Sequence, residues 1–264
     1  MKKIAVFYGA DHKAGTTMTA LCTAQILARK NRDRKVLFAA INPDRSGEYL
    51  RNSVACLDEF RLQAENRILV AGEFLGKSRY KDNLYVLGGL SSRRDERHYF
   101  PGFVNCLIQQ IGENFHHIII DAGSRLESGL TVGCLELDAG KIAVFSQGQL
   151  CCDRFLENRP VLERLGVRFD MAVLNRYQTR IPITPVEIGG LVGLHRQQVA
   201  VLPNSDLGLQ AELQRESLVV LDRGYRRQAE ALVRLVCSEE KQERERVNRG
   251  KRDRKWKSFI WTST

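Results

Sequence analysis

The sequence predicts an α/β fold, a mostly parallel sheet flanked by helices on both faces. Seven short apolar runs of strand length recur along the chain, and helical patterns separate several of them. A glycine-bearing loop joins the first run to the first helix. Near-continuous apolar strands are buried on both faces, as in a parallel sheet. Their alternation with helices implies right-handed crossovers.

The first strand is Ile4 to Phe7. The loop "GADHKAGTT" (9–17) follows and opens a helix running from about Thr16 to Lys30. "KVLFAAI" (35–41) comes after a polar turn, and "NLYVLGG" (83–89) is the third strand. "HHIIIDAGS" (116–124) is the clearest, with three β-branched residues, an acid and then glycine. "KIAVFSQ" (141–147), "FDMAVLNRY" (169–177) and "QVAVLPNS" (198–205) complete the series. Helical patterns fall at 102–114, 152–165, 184–194 and 206–217. "SSRRDE" and "DERHYFPG" read as surface loop, and there is no internal repeat. Apolar periodicity stops after Cys237. The chain therefore divides into a domain, 1–237, and a charged basic-aromatic tail, 238–264.

Composition narrows the classes. A charged fraction of 27% and a hydrophobic fraction of 43% in 264 residues suit a soluble globular protein. No apolar run approaches the roughly 20 residues that span a bilayer, and the N-terminus lacks a signal peptide's apolar core. Of the seven cysteines, only Cys151 and Cys152 adjoin, and they form no C-x-x-C. The expected setting is a reducing cytoplasm, with thiols packed as small apolar residues.

The loop after the first strand decides the chemistry. A phosphate-binding loop ends in Gly-Lys-[Ser/Thr], because the lysine reaches the outer phosphates and the hydroxyl binds magnesium. Here Gly15 precedes Thr16, and Lys13 sits two positions early. Taken alone, the segment reads as a strand-to-helix turn with a threonine N-cap. The order of the surrounding motifs points elsewhere. The chain resembles the MinD/ParA family of deviant Walker P-loop ATPases over residues 3 to about 237. Aligned on Thr16-Thr17, that family's K-G-G-x-G-K-T-T places Ala10 and Gly15 at its two lysines. Asp11, His12 and Ala14 fall on its glycines. "VLFAAINP" places Ala40 and Asn42 where the second motif has aspartates, and keeps Pro43. "HIIIDAGS" keeps the strand-end acid as Asp121.

The resemblance implies ATP and magnesium as ligands. It assigns the phosphate loop to Gly9, Lys13, Ala14, Gly15, Thr16 and Thr17, and the ion to Thr16 and Asp121. Asn175 and Pro203, in "VLNRY" and "VLPNS", fall near the base. Plainer readings stand beside these: Asp121 capping a loop, Asn175 pairing with backbone, and the His116-His117 pair as surface structure. No catalytic residue is assigned. Phosphoryl transfer needs cationic neutralisation and a positioned water, and Ala10, Gly15 and Ala40 supply neither.

The expected function is a degenerate nucleotide-binding protein, with weak or no hydrolysis, that positions or assembles a cellular machine. Within the family the nearest analogy is the branch that localises Tad-type pilus assembly. That branch usually carries an N-terminal receiver-like domain, and none is expected here, where the loop strand begins at Lys3. The competing readings are an active ATPase for DNA partition or division-site placement using Lys13, and an inert scaffold without nucleotide. Expected partners are a second copy of the chain, a protein of a pilus, secretion or partition system, and an anionic membrane through residues 249–261. Six cations and one acid fall in 249–257, and Trp256, Phe259 and Ile260 would share a helical face. Nucleic acid is the weaker alternative. The location expected is cytoplasmic, peripheral at the inner face of the cell membrane.

Overall fold

The computed structural model describes residues 3–44, 46–52 and 54–237. The tail, 238–264, with its expected membrane contact, lies outside the described residues. In chain order the elements begin with β1 (Ile4–Gly9), α1 (Thr16–Lys30), β2 (Val36–Ala40), α2 (Arg61–Glu65) and α3 (Ala71–Ser78). They continue with β3 (Arg79–Lys81), β4 (Leu84–Leu87), α4 (Pro101–Ile111), β5 (His117–Asp121) and α5 (Gly129–Glu136). Next come β6 (Gly140–Ser146), α6 (Gln149–Arg164), β7 (Met171–Tyr177), α7 (Pro185–Val192) and β8 (Val199–Pro203). Finally α8 (Gly208–Gln214), α9 (Leu218–Leu221) and α10 (223–237) close the described chain.

The eight strands form one sheet in the order β3-β4-β2-β5-β1-β6-β7-β8. Every neighbouring pair is parallel except β3 with β4. All seven expected strands are present. Ile118, Ile119 and Ile120 of β5 are fully buried, as a central strand covered on both faces requires. Each such side chain contributes about 1.5–3 kcal/mol relative to exposure. α1 is buried from Thr19 to Ala28, and its Gln25 meets the hydroxyl of Ser217 just before α9. α7 starts on a capping box, Thr184 with Glu187, and stops at Gly193 in the left-handed region.

The structure departs from expectation at several elements. β3 is an edge strand of three residues, with Arg79 and Lys81 exposed and Tyr80 half-buried, too short to be read from its pattern. The turn after it holds Asp82 at φ 48°, and Asn83 Nδ2 donates to the carbonyls of Ala28, Asn31 and Arg34. Residues 91–102 are more than surface loop. Ser92 caps a 3-10 turn over Arg93–His98, Tyr99 is buried with its hydroxyl on Asp58 Oδ1 at 2.8 Å, and Pro101 opens α4. α5 was not expected, because two glycines dilute its apolar pattern. His116 is exposed, but His117 is buried at the start of β5, so the pair is not simply surface structure.

Candidate functional site

The loop between β1 and α1 sits at the middle of the sheet's carboxyl edge, because β1 lies between β5 and β6. Ligands in open parallel sheets bind at such an edge, where successive crossovers leave to opposite sides. Two backbone bonds fasten the loop there. Gly9 N–H donates to Gly123 O and Ala10 N–H to Val144 O, both at 2.8 Å. Lys13 lies exposed at φ 64° and Gly15 takes φ 89°.

α1 begins on Gly15, and no side chain caps it. The threonine N-cap is therefore not what forms. Thr19 Oγ1 instead donates back to Gly15 O at 2.9 Å. The first-turn N–H groups of a helix have no internal acceptor, so this 15-residue helix presents an uncapped, partly positive end to the loop.

Gly15 is glycine for two reasons. Its φ is one that side-chain-bearing residues rarely adopt. A β-carbon there would also run into Nδ2 of Asn175, far inside contact distance. Asn175, buried at the end of β7, donates that amide to Ala14 O at 3.0 Å. The plainer reading of Asn175, a backbone partner, is what its amide nitrogen does. It supports the loop from beneath, in the space from which a lysine at position 15 would have to emerge.

The acidic side of the site is Asp121, fully buried at the end of β5. Its Oδ2 accepts from Thr17 Oγ1 at 2.6 Å and from Ser46 Oγ at 3.3 Å, and its Oδ1 accepts from Gly123 N–H at 3.1 Å. Burial pushes its carboxyl up, and the bonds from Thr17, Gly123, Asn42 and Ser46 oppose that rise. Thr17, not Thr16, is the threonine that reaches the acid. Thr16 Oγ1 is buried against Gly9, where an added β-carbon would meet it. Asn42 is buried too, and its Nδ2 donates to Asp121 O at 2.9 Å. Ala40 stands in register with Asp121 and brings only a methyl group. Cys134 reaches Ile41 O at 3.6 Å, and burial holds its thiol well above the usual range.

Asp11 does not leave bare negative charge in the loop. Its Oδ1 pairs with Arg154 on α6 and accepts from the His12 N–H at 2.6 Å. The structure thus gathers Gly9, Lys13, Ala14, Gly15, Thr16, Thr17, Asp121 and Asn175 around one loop. Pro203 lies apart, at the end of β8, three strands from β1 and so about 14 Å away by strand spacing. Sequence reasoning missed Arg154 and Ser46. Neither belongs to a motif, and only the fold brings them to the loop and the acid.

The residues fit a bound nucleotide in part. The uncapped end of α1 suits phosphate, and Thr16, Thr17 and Asp121 suit the hydrated magnesium ion that accompanies it. The lysine positions are empty at Ala10 and filled by Asn175 at Gly15. Among the described residues no group of three or more His, Cys, Asp or Glu could hold a metal, and no helix is long and apolar enough to cross a membrane.

No protein-family model matches the chain, and no curated protein matches its sequence. Solved structures do match. A ParA family ATPase from Chlorobium tepidum TLS superposes with a TM-score of 0.74 at 18% identity, over 88% of this chain and 97% of that one. The Pyrococcus furiosus cell division ATPase MinD gives 0.66 at 22% identity, over 92% and 100%. The septum site-determining protein MinD of Pyrococcus horikoshii OT3, complexed with Mg-ADP, gives 0.65 at 18% identity, over 88% and 93%. At such identities the likeness speaks for architecture, and the chain has the MinD/ParA-type P-loop ATPase fold.

Proposed function

We propose that this chain is a nucleotide-binding protein with little or no hydrolytic activity, which positions or assembles a cellular machine of the pilus or secretion type. The observation that carries the reading is the occupation of the lysine position by Asn175, beside an acid-and-threonine pair that is intact. The half of the site suited to magnesium is kept, and the half that neutralises transferring phosphate is replaced. The groups that would hold the phosphates are the backbone amides of the loop 9–17 and of the first turn of α1. Thr16, Thr17 and Asp121 would hold magnesium, whose chemistry is charge neutralisation. Asn175 and Pro203 flank the base side, Asn175 by shaping the loop. Loss of one charge-stabilising group in such a site costs about two to three powers of ten in rate. Three such positions here hold Ala10, Gly15 and Ala40.

A nucleotide that is bound and not consumed serves as a structural ligand, and assembly with a second copy or a membrane follows from its occupancy. The P. horikoshii MinD of the same fold is complexed with Mg-ADP, which supports nucleotide as the ligand. The test pairs a magnesium-ATP thermal shift with a hydrolysis assay. A ligand that binds only the folded state raises the melting temperature by mass action. A shift without turnover is expected. Turnover at the rate of working ATPases, abolished by Lys13→Ala, would establish an active enzyme instead. No shift at millimolar ATP would leave an inert scaffold.

A further inference from the structure

The loop 9–17 makes one ion pair among the described residues, and it is made with a distant helix. Ala10 N–H bonds Val144 O, which brings the loop beside β6, and α6 leaves β6 after a two-residue turn. Cys151 and Phe155 bury one face of α6 against the sheet. Arg154, between them, reaches back to Oδ1 of Asp11, which also accepts the His12 N–H. Asp11 is thus an anion held jointly by a guanidinium and a loop amide. Phosphate oxygens take the same two kinds of donor, and the guanidinium's planar fork suits either anion.

The fold therefore carries a cation to a loop that has a lysine at neither position 10 nor position 15. Lys13 is less suited to the task, since it stands exposed on the loop and makes no ion pair among the described residues. Arg154 is anchored by a packed helix, and its side chain keeps about half its surface in solvent. It is free to change partner without the helix moving.

We propose that Arg154 is the phosphate-binding cation of this site, with Asp11 as a stand-in anion that the nucleotide's phosphates displace. The proposal rests on the nucleotide-binding reading above. It implies that Asp11 competes with nucleotide, so binding by the native chain is weak because of its own carboxylate. It also implies opposite consequences for the two halves of one ion pair. Removing Arg154 takes away the ligand's partner, and removing the charge of Asp11 takes away the ligand's rival.

The experiment measures calorimetric affinity and thermal shift for magnesium-ATP, and for inorganic tripolyphosphate as a base-free probe. It uses the full chain and the variants Arg154→Gln, Asp11→Asn and Lys13→Ala. Arg154→Gln is expected to weaken both ligands about tenfold or more, the worth of one charge-assisted contact. Asp11→Asn is expected to tighten both, and Lys13→Ala to change them little. A purely structural ion pair would move Arg154→Gln and Asp11→Asn in the same direction, and that result overturns the proposal. Loss of binding in Lys13→Ala with Arg154→Gln unchanged also overturns it, while nucleotide binding itself stands. Absence of binding in all four proteins, Asp11→Asn included, removes the nucleotide-binding reading and this proposal with it.

Discussion

The side-chain amide of Asn175 occupies the space a β-carbon at Gly15 would need, and hydrogen-bonds the carbonyl of the residue before it, Ala14. The two residues are 160 positions apart in sequence and form one packed unit. A lysine at position 15 is therefore excluded twice, by φ 89° and by the amide. Gly15→Lys is expected to destabilise the fold by about 2 kcal/mol or more, combining left-handed strain with overpacking. Asn175→Ala alone should cost about 1–3 kcal/mol, because it leaves the buried Ala14 carbonyl without its donor. In the double variant Asn175→Ala relieves the clash, so denaturation should show a loss smaller than the sum. Strict additivity would mean that the two positions do not share this space.

Asp121 sets function against stability. Its carboxyl is pushed up by burial, so its charge is disfavoured in the folded chain. Between the unfolded and folded values the native state binds more protons than the unfolded one, and stability falls as pH rises through that window. Ionising the acid therefore costs stability, which the bonds from Thr17 and Ser46 only partly offset. Asp121→Asn should raise the melting temperature at pH 7, with a smaller gain in acid. It should also abolish the magnesium dependence of any ATP-induced shift. A lower melting temperature at pH 7, with magnesium dependence kept, would show that the acid is a structural cap and no ion ligand.

Hydrolysis should be slow, no more than a few turnovers per hour. Two of the missing groups are replaced by apolar ones, since Ala40 presents a methyl group beside Asp121 and Ala10 is buried. Lys13→Ala should leave that rate unchanged. A phosphate-release assay over several hours, with wild type and variant side by side, checks both points.

The tail's prediction rests on sequence. Six cations in 249–257 should draw it to anionic lipid over about one Debye length, roughly 8 Å at physiological salt. Trp256, Phe259 and Ile260 can then insert on one helical face. Vesicles with anionic lipid should co-sediment the full chain and neutral vesicles should not. Deletion of 249–264 should abolish sedimentation, and Trp256→Ala with Phe259→Ala should weaken it at unchanged net charge. If the double substitution has no effect and salt removes all binding, contact is electrostatic alone, and nucleic acid becomes the better partner to test.

Local pattern by itself determined the parallel strands, because a strand buried on both faces must be apolar at nearly every position, as in Ile118–Ile120. It also determined the loop and the strand-end acid, which sit where an apolar run gives way to glycine or aspartate. The edge strand β3 and the glycine-diluted α5 were not legible, since three residues with only Tyr80 half-buried are too few to carry a period, and two glycines dilute the apolar run of α5. The resemblance to the MinD/ParA motifs marked which charged side chains the site lacks, at Ala10, Gly15 and Ala40. Only the tertiary structure decided what stands in their place. Asn175 and Arg154 come to the loop from β7 and α6, more than 140 residues along the chain. Sequence spacing holds no record of such contacts, because they depend on which strands lie side by side. Here β6, next to β1, and β7, next to β6, place the start of α6 and the end of β7 against the loop.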